Sequence, residues 1–221
     1  MSAASSTALV CAGSFAAVYA AARADGPGPA LAALAELLGL PQAHPGPHGV
    51  AVTTVARSAA DPAALLRRFP LPGGDVCLVT APDQGPDQGP GPAPTADRWP
   101  LGLLWLRLGL SEGCRDVCTK HLSGRLSGAI PIINYQLVKG QLADILVTHL
   151  EVAATLAADP GGPPAPARNR LHREISAADR SLTRLFGAAG YLREGPGDTA
   201  YVSELIAAVH TPASPPEEET W

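Results

Sequence analysis

Cys114, Cys118 and His121 follow one another at steps of four and three, which on an α-helix sets two thiols and an imidazole on one face. Thiolate and imidazole are the ligands that zinc and copper favour. No neighbouring cluster supplies a fourth ligand, and the same face is expected to carry Leu110 and Val117. The spacing therefore reads as a packed core stripe, free cysteine being among the most buried residue types, and no metal site is expected. His149 falls on a step of an apolar stripe and His172 near a helix start, positions that suit packing or capping. A nucleophile elbow and a phosphate-cradling glycine loop are both absent from the sequence.

The elements that must position these groups are mostly helical. Leu103, Leu106, Leu110, Val117 and Leu122 mark one amphipathic helix, which Ser123-Gly124 and the Gly128/Pro131 segment separate from the next. In that next helix Val138, Leu142, Ile145, Leu146, Ala153 and Leu156 form the apolar stripe and Gln141, Asp144, Thr148, Glu151 and Thr155 the opposite one. Pro160-Gly161-Gly162 stops it. A helix over Arg170 to Phe186 with Asn169 as cap, and another over Thr199 to His210 with Asp198 as cap, complete the set. Four amphipathic helices joined by short breaks bury their stripes against one another, which gives a bundle.

Ahead of them, Leu31, Leu34, Leu37 and Leu38 predict a helix from Ala30 to Leu38. GVAVTTVAR (49–57) and DVCLVT (75–80) predict two strands. Asp61-Pro62 is placed to open a short helix through Arg68. The expected organisation is a small mixed α/β segment over 1–80, a Pro/Gly-rich linker over 81–97, a helical bundle over 98–212 and a disordered acidic tail over 213–221. The fold class is mainly α.

Composition narrows the partners. The chain has 221 residues, 46% of them hydrophobic, enough for a sizeable core. A net charge of -4 gives no basic footprint, so nucleic acid is not an expected partner. Four cysteines without a paired framework fit a reducing compartment, and no Lys or Arg precedes Arg23 to make a signal n-region, so the expectation is a cytoplasmic protein. No apolar run is expected to span a bilayer.

Arg125, Gly128, Pro131, Gln136, Leu142, Ala143 and Asp144, in RLSGAIPIINYQLVKGQLAD, occur in the order of a stretch of the acyl-CoA dehydrogenase family, Arg-x-Phe-Gly-x-Pro…Gln…Leu-Ala-Asp, which the segment resembles. Gly109-Leu110 sits where that family has Gly-Leu-Ala. LFGAAGYLREGP, Leu185 to Pro196, is similar to its late glycine turn, and Tyr201 to Val209 to the helix that follows. The ordered set covers roughly Leu101 to Thr211. It implies a C-terminal four-helix bundle that mediates homo- or hetero-oligomers, bound FAD, and desaturation of an acyl thioester of CoA or of an acyl carrier protein. The Ala/Pro/Gly/Arg-rich composition suggests a GC-rich bacterial source, where such relatives serve specialised metabolite biosynthesis. Arg125, Gly128 and Gln136 are the implied cofactor-binding residues, Arg125 toward the FAD pyrophosphate of a neighbouring subunit. Ser127 stands where the family has phenylalanine, and residues 1–80 show no match to its flavin-covering β-domain.

Desaturation needs a carboxylate base in a dry pocket. The two positions where the family carries it fall here on Thr211 and Trp99. Asp97, Glu112, Asp116 and Glu204 are the nearest substitutes, the ordinary reading of each being a solvated helix face or cap. Glu204, flanking the Val202/Leu205 stripe, is the candidate catalytic residue. Two functions follow: an acyl-CoA dehydrogenase-like flavoprotein or flavoprotein subunit, or a non-catalytic bundle that assembles with a full-length partner or is purely structural.

Overall fold

The computed structural model describes residues 13–40, 44–55, 64–80, 93–159, 161–192 and 195–211, with backbone only at 13 and 93–97. The expected acidic tail, most of the linker and the start of the helix at Asp61 lie outside the described residues. After a 3-10 turn at Gly13–Phe15 come α1 (Ala16–Asp25) and α2 (Pro27–Leu37), then the strands β1 (Val50–Thr54), β2 (Leu65–Phe69) and β3 (Val76–Thr80). The long α3 (Ala93–Gly124) follows, then a small ribbon of β4 (Leu126–Ser127) and β5 (Ile130–Pro131). The chain closes with α4 (Gln136–Ala158), α5 (Ala165–Phe186) and α6 (Pro196–His210).

The bundle of α3, α4, α5 and α6 is the one the apolar periodicity predicts. Two starts differ. Helix α5 begins at Ala165 and α6 at Pro196, so Asn169 and Asp198 lie inside their helices and cap neither; prolines in the first turn, where no amide partner is lost, open both. A larger correction concerns Leu65 to Arg68, expected to be helical. They form β2, paired antiparallel with β3 through Arg68↔Cys77 and Phe69↔Val76. The glycines Gly73 (φ 86°) and Gly74 (φ 128°) turn the chain back tightly there, and pairing with β3 overrides a local preference that a run of Leu and Arg states only weakly. The sheet order is β1-β3-β2, all antiparallel.

Helix α1, in the alanine-rich start of the chain, lies on α3 because α3 carries glycine where the two meet. A Cβ on Gly109 would stand 2.6 Å from the Tyr19 carbonyl oxygen, and one on Gly113 2.6 Å from that of Arg23. The N-terminal part consequently shares its core with the bundle: Val18, Tyr19, Leu31 and Leu34 pack with Val52, Val76, Leu104, Leu108, Val152, Ile175 and Ile206.

A second apolar cluster lies toward the α3–α4 turn, made by Cys114, Cys118, Leu122, Ile145, Ala178, Leu182 and Phe186. Between the two sits a layer of buried polar side chains: Arg107, Ser111, Glu112 and Arg115 from α3, His149 from α4, Asp179 from α5 and Ser203 from α6.

Helix α4 requires one further correction. By length and composition its 23 residues could cross a membrane, an 18-residue window having mean hydropathy 1.2. One face, with Ile145, His149, Val152, Ala153 and Leu156, is nevertheless buried in the bundle.

Candidate functional site

The polar layer is bonded into a continuous chain. Arg107, fully buried, donates from Nε to Ser203 Oγ (3.1 Å), from Nη1 to His172 Nδ1 (2.9 Å) and to the His172 carbonyl (3.1 Å), and from Nη2 to Ser176 Oγ (2.8 Å). Ser203 passes its own proton to Asp179 Oδ2 at 3.1 Å, and the Ser111 hydroxyl bonds the same carboxylate. His149 joins Ser111 Oγ through Nε2 (2.8 Å) and Arg115 Nη1 through Nδ1 (2.9 Å). Beyond Arg115, Glu112 Oε2 accepts from the Tyr19 hydroxyl (2.8 Å) and Arg23 Nη1 (2.9 Å), and Arg23 also grips Asp116.

Burial sets the protonation states in this layer. It pulls the His149 pKa down to about 3, with the nearby Arg115 and Arg23 adding to the effect, and His172 likewise to about 3, with Arg107 assisting. Both imidazoles are neutral. Arg107, lowered by burial to about 10, keeps its charge at neutral pH. Asp179 is pushed upward by burial, while Arg107 and the two serine hydroxyls pull it back.

Ser111, His149 and Asp179 invite comparison with a hydrolytic triad, and the order of bonds rejects it. A triad histidine stands between serine and carboxylate and takes the serine proton. Here Nδ1 already accepts from Arg115, so Nε2 carries the proton and points it at Ser111, whose own proton goes to Asp179. The serine is buried and the histidine has no basicity to offer.

The carboxylates named from the sequence are accounted for similarly. Glu112 is buried and bonded to Tyr19, Arg23 and Arg115. Asp116 is half-exposed and bound by Arg23. Glu204 is 52% exposed and paired with Arg180 at 2.9 Å, a solvated ion pair rather than a dry base. The side chain of Asp97 lies outside the described residues. Trp99 is buried and its indole N–H meets His210 Nδ1 at 3.4 Å, while the His44 ring lies 5.0 Å away; Thr211 follows directly on His210. The two positions that could have carried a base are thus brought to one end of the bundle, where aromatic rings fill the space.

Arg125, Gly128 and Gln136 come together at the opposite end, on the turn between α3 and α4. Gly128 takes φ 63°, which closes the β4–β5 ribbon, and the Ile132 amide bonds the Arg125 carbonyl at 2.8 Å. All three residues are exposed. They make a projecting turn without walls, so this chain by itself does not enclose a flavin there. A cleft of about 710 Å³ lies elsewhere, between α1, the β2–β3 turn, α3 and the start of α6, with walls including Ala22, Arg23, Leu110, Gly113, Cys114 and Thr199. Cys114 and Cys118 are core residues, their thiols pushed up by burial. Val117 is exposed and does not share their face. Among the described residues no cluster of ligands could hold a metal.

No protein-family description matches the sequence, and no curated protein matches it either. Solved structures do. The chain is similar to a glutaryl-CoA dehydrogenase from Mycobacterium smegmatis in complex with FADH2, at 20% identity and TM-score 0.51, over 65% of this chain and 42% of that one. It also matches the butyryl-CoA dehydrogenase from Megasphaera elsdenii (16% identity, 74% of this chain and 46% of that one, TM-score 0.46). A third match is an acyl-CoA dehydrogenase from Slackia heliotrinireducens (14%, 62% and 42%, TM-score 0.43). At such identity the first likeness defines a fold: this is a divergent acyl-CoA dehydrogenase-like helical fold, as the motif order from Arg125 to Asp144 implied. The chain spans about two fifths of the length of that neighbour.

The polar layer left a trace in the sequence that motif reading passes over. Arg107, Ser111 and Arg115 recur at steps of four inside an otherwise apolar helix, and His172, Ser176 and Asp179 at steps of four and three. Polar residues on a buried stripe on two helices at once are the signal of a shared network.

Proposed function

We propose that this chain is the assembly subunit of an acyl-CoA dehydrogenase-like complex, a bundle that docks onto a second chain of the same fold and supplies no base of its own. The observation that carries the reading is the outward face of α4. Ala143, Val147, Leu150 and Ala154 stand at steps of four, three and four, all exposed, Val147 at 51% and Leu150 at 40%. That is the spacing of a helix-pairing seam. Leu126, Ile130 and Leu137 extend the apolar surface to the α3–α4 turn. A helix apolar on both sides, with one side already in its own core, is built to be covered twice.

In such a pairing the turn with Arg125, Gly128 and Gln136 projects toward the second chain. FAD and the acyl thioester, of CoA or of a carrier protein, then belong to the complex and lie chiefly in the partner's half. The location we propose is the cytoplasm, a reading that the free, buried Cys77, Cys114 and Cys118 accord with. The apolar walls of the 710 Å³ cleft favour a second reading, in which this chain holds an acyl group itself; that size suits a small-molecule site.

Light scattering on the purified chain tests the first reading. The wild type should associate, and Val147→Asp with Leu150→Asp should leave a folded monomer, each side chain contributing about 1.5–3 kcal/mol when buried. A monomeric wild type that instead binds lipid vesicles through α4 would sink it. Saturable binding of an acyl-CoA by that monomer would favour the second reading.

A further inference from the structure

A smaller groove, of about 230 Å³, runs between α5 and α6 on the side away from the large cleft's walls. Its α5 wall is a ladder of Asn169, Arg173, Ser176 and Arg180 at steps of four, three and four. Glu204 and Thr211 face it from α6, and His172 shares its floor with Ser176.

The residue behind the floor turns two hydrogens toward the groove. Arg107 has no acceptor atom and gives its protons to His172 Nδ1 and Ser176 Oγ. Each of those bonds fixes the next proton. His172, neutral, must carry its hydrogen on Nε2, and Ser176 must turn its hydroxyl hydrogen away from the guanidinium. Neither hydrogen has a protein acceptor among the described residues. The rim adds two guanidinium forks, Arg173 and Arg180. Only one carboxylate opposes them, Glu204, which holds Arg180 at 2.9 Å.

We infer that this groove is a binding site for a phosphate group, free or as a terminal monoester, with Glu204 occupying Arg180 until the phosphate displaces it. Two floor donors and two forks spaced along the α5 wall suit a tetrahedral dianion, and guanidinium is the side chain best matched to phosphate oxygens. The volume falls below that of a drug-sized site, so the groove takes the phosphate head and leaves any larger body outside. The inference stands on α5, α6 and Arg107 of α3 and is independent of what covers α4.

Titration of the full chain with inorganic phosphate at constant ionic strength, followed by calorimetry or by phosphorus resonance line width, tests it. Arg173 and Arg180 are exposed, so Arg173→Gln and Arg180→Gln should fold normally and weaken phosphate at least about tenfold, the loss of roughly one charge-assisted contact. Glu204→Gln should tighten it several-fold, because Arg180 is released. Glycerol phosphate separates the two sources: affinity equal to that of phosphate admits a monoester, and its loss restricts the groove to the free ion. No phosphate binding by either wild type or Glu204→Gln, or binding indifferent to Arg173→Gln, overturns the site. Weaker binding in Glu204→Gln overturns the displacement.

Discussion

Replacing Arg107 with methionine is the sharpest probe of the polar layer. The guanidinium is wholly buried and makes four hydrogen bonds, to Ser203, Ser176 and twice to His172. Methionine fills a similar volume, so the cost is electrostatic: four acceptors lose their donor and Asp179, itself buried, loses its balancing charge. Breaking one side of a buried ionic set costs about 3–5 kcal/mol. In a chain of this size each kcal/mol moves Tm by roughly 2–4 °C, which gives a drop of about 6–20 °C. Urea unfolding of Arg107→Met, Asp179→Asn and the double variant closes the cycle. The double variant should be less destabilised than the sum of the two by about 2 kcal/mol, because neither charge is then left alone. Arg107→Lys should fall between wild type and methionine, since an ammonium keeps the charge but cannot fork to Ser203, His172 and Ser176 together. Additive costs in the cycle, or a methionine variant as stable as wild type, would refute the coupling of Arg107 to Asp179.

Acid should unfold the protein through its neutral histidines. His149 and His172 have pKa values near 3 when folded and about 6.5 when unfolded, so below pH 6.5 the unfolded chain takes up protons that the folded one refuses. The loss develops as pH falls from 6.5 toward 3 and amounts to about 2 kcal/mol per histidine at pH 5. Asp179, shifted upward, works the other way across the carboxylate range. Unfolding free energies measured at pH 7 and pH 5 check this, and equal values would show that neither ring is held neutral. Two glycine substitutions should have opposite signs. Gly113→Ala drives a methyl to 2.6 Å from the Arg23 carbonyl and should cost about 1–3 kcal/mol, whereas Gly140→Ala meets nothing within 4 Å and should gain up to about 1 kcal/mol from helix propensity. Thermal melts of the two decide it.

What could be read in the sequence was whatever rests on period. The stripes of Leu103 to Leu122, Ile145 to Leu156, Leu171 to Phe186 and Val202 to Val209 gave four helices, because burial of one face repeats every three or four residues wherever the helix sits. Strand β2 was lost because Leu65-Leu66-Arg67-Arg68 has no alternation: its residues are exposed at an edge, and only the partner strand makes them a strand. The polar layer was lost for a different reason. Arg107 and Asp179 are far apart in sequence, and each alone looks like a solvated charge until the tertiary structure brings the helices to a common level. Helix starts at Ala165 and Pro196 escaped because proline opens a helix without a side-chain cap to announce it.

The same layer explains why a fold shared with dehydrogenases offers no evident base here. A bundle with charges at mid-height must satisfy every one of them internally. Arg23, Arg107 and Arg115 answer Glu112 and Asp179, so among the described residues each of these buried carboxylates already has a cationic partner. At the end where Trp99 and Thr211 meet, the rings of Trp99, His44 and His210 take up the room that a carboxylate and a substrate would need. Restoring a single glutamate at Thr211 would therefore not restore a dry acidic pocket, because the space beside it is already packed. The groove between α5 and α6 carries guanidinium donors in excess over Glu204, and the outward face of α4 carries Val147 and Leu150. On the two readings proposed above, the first would take an anion and the second another bundle.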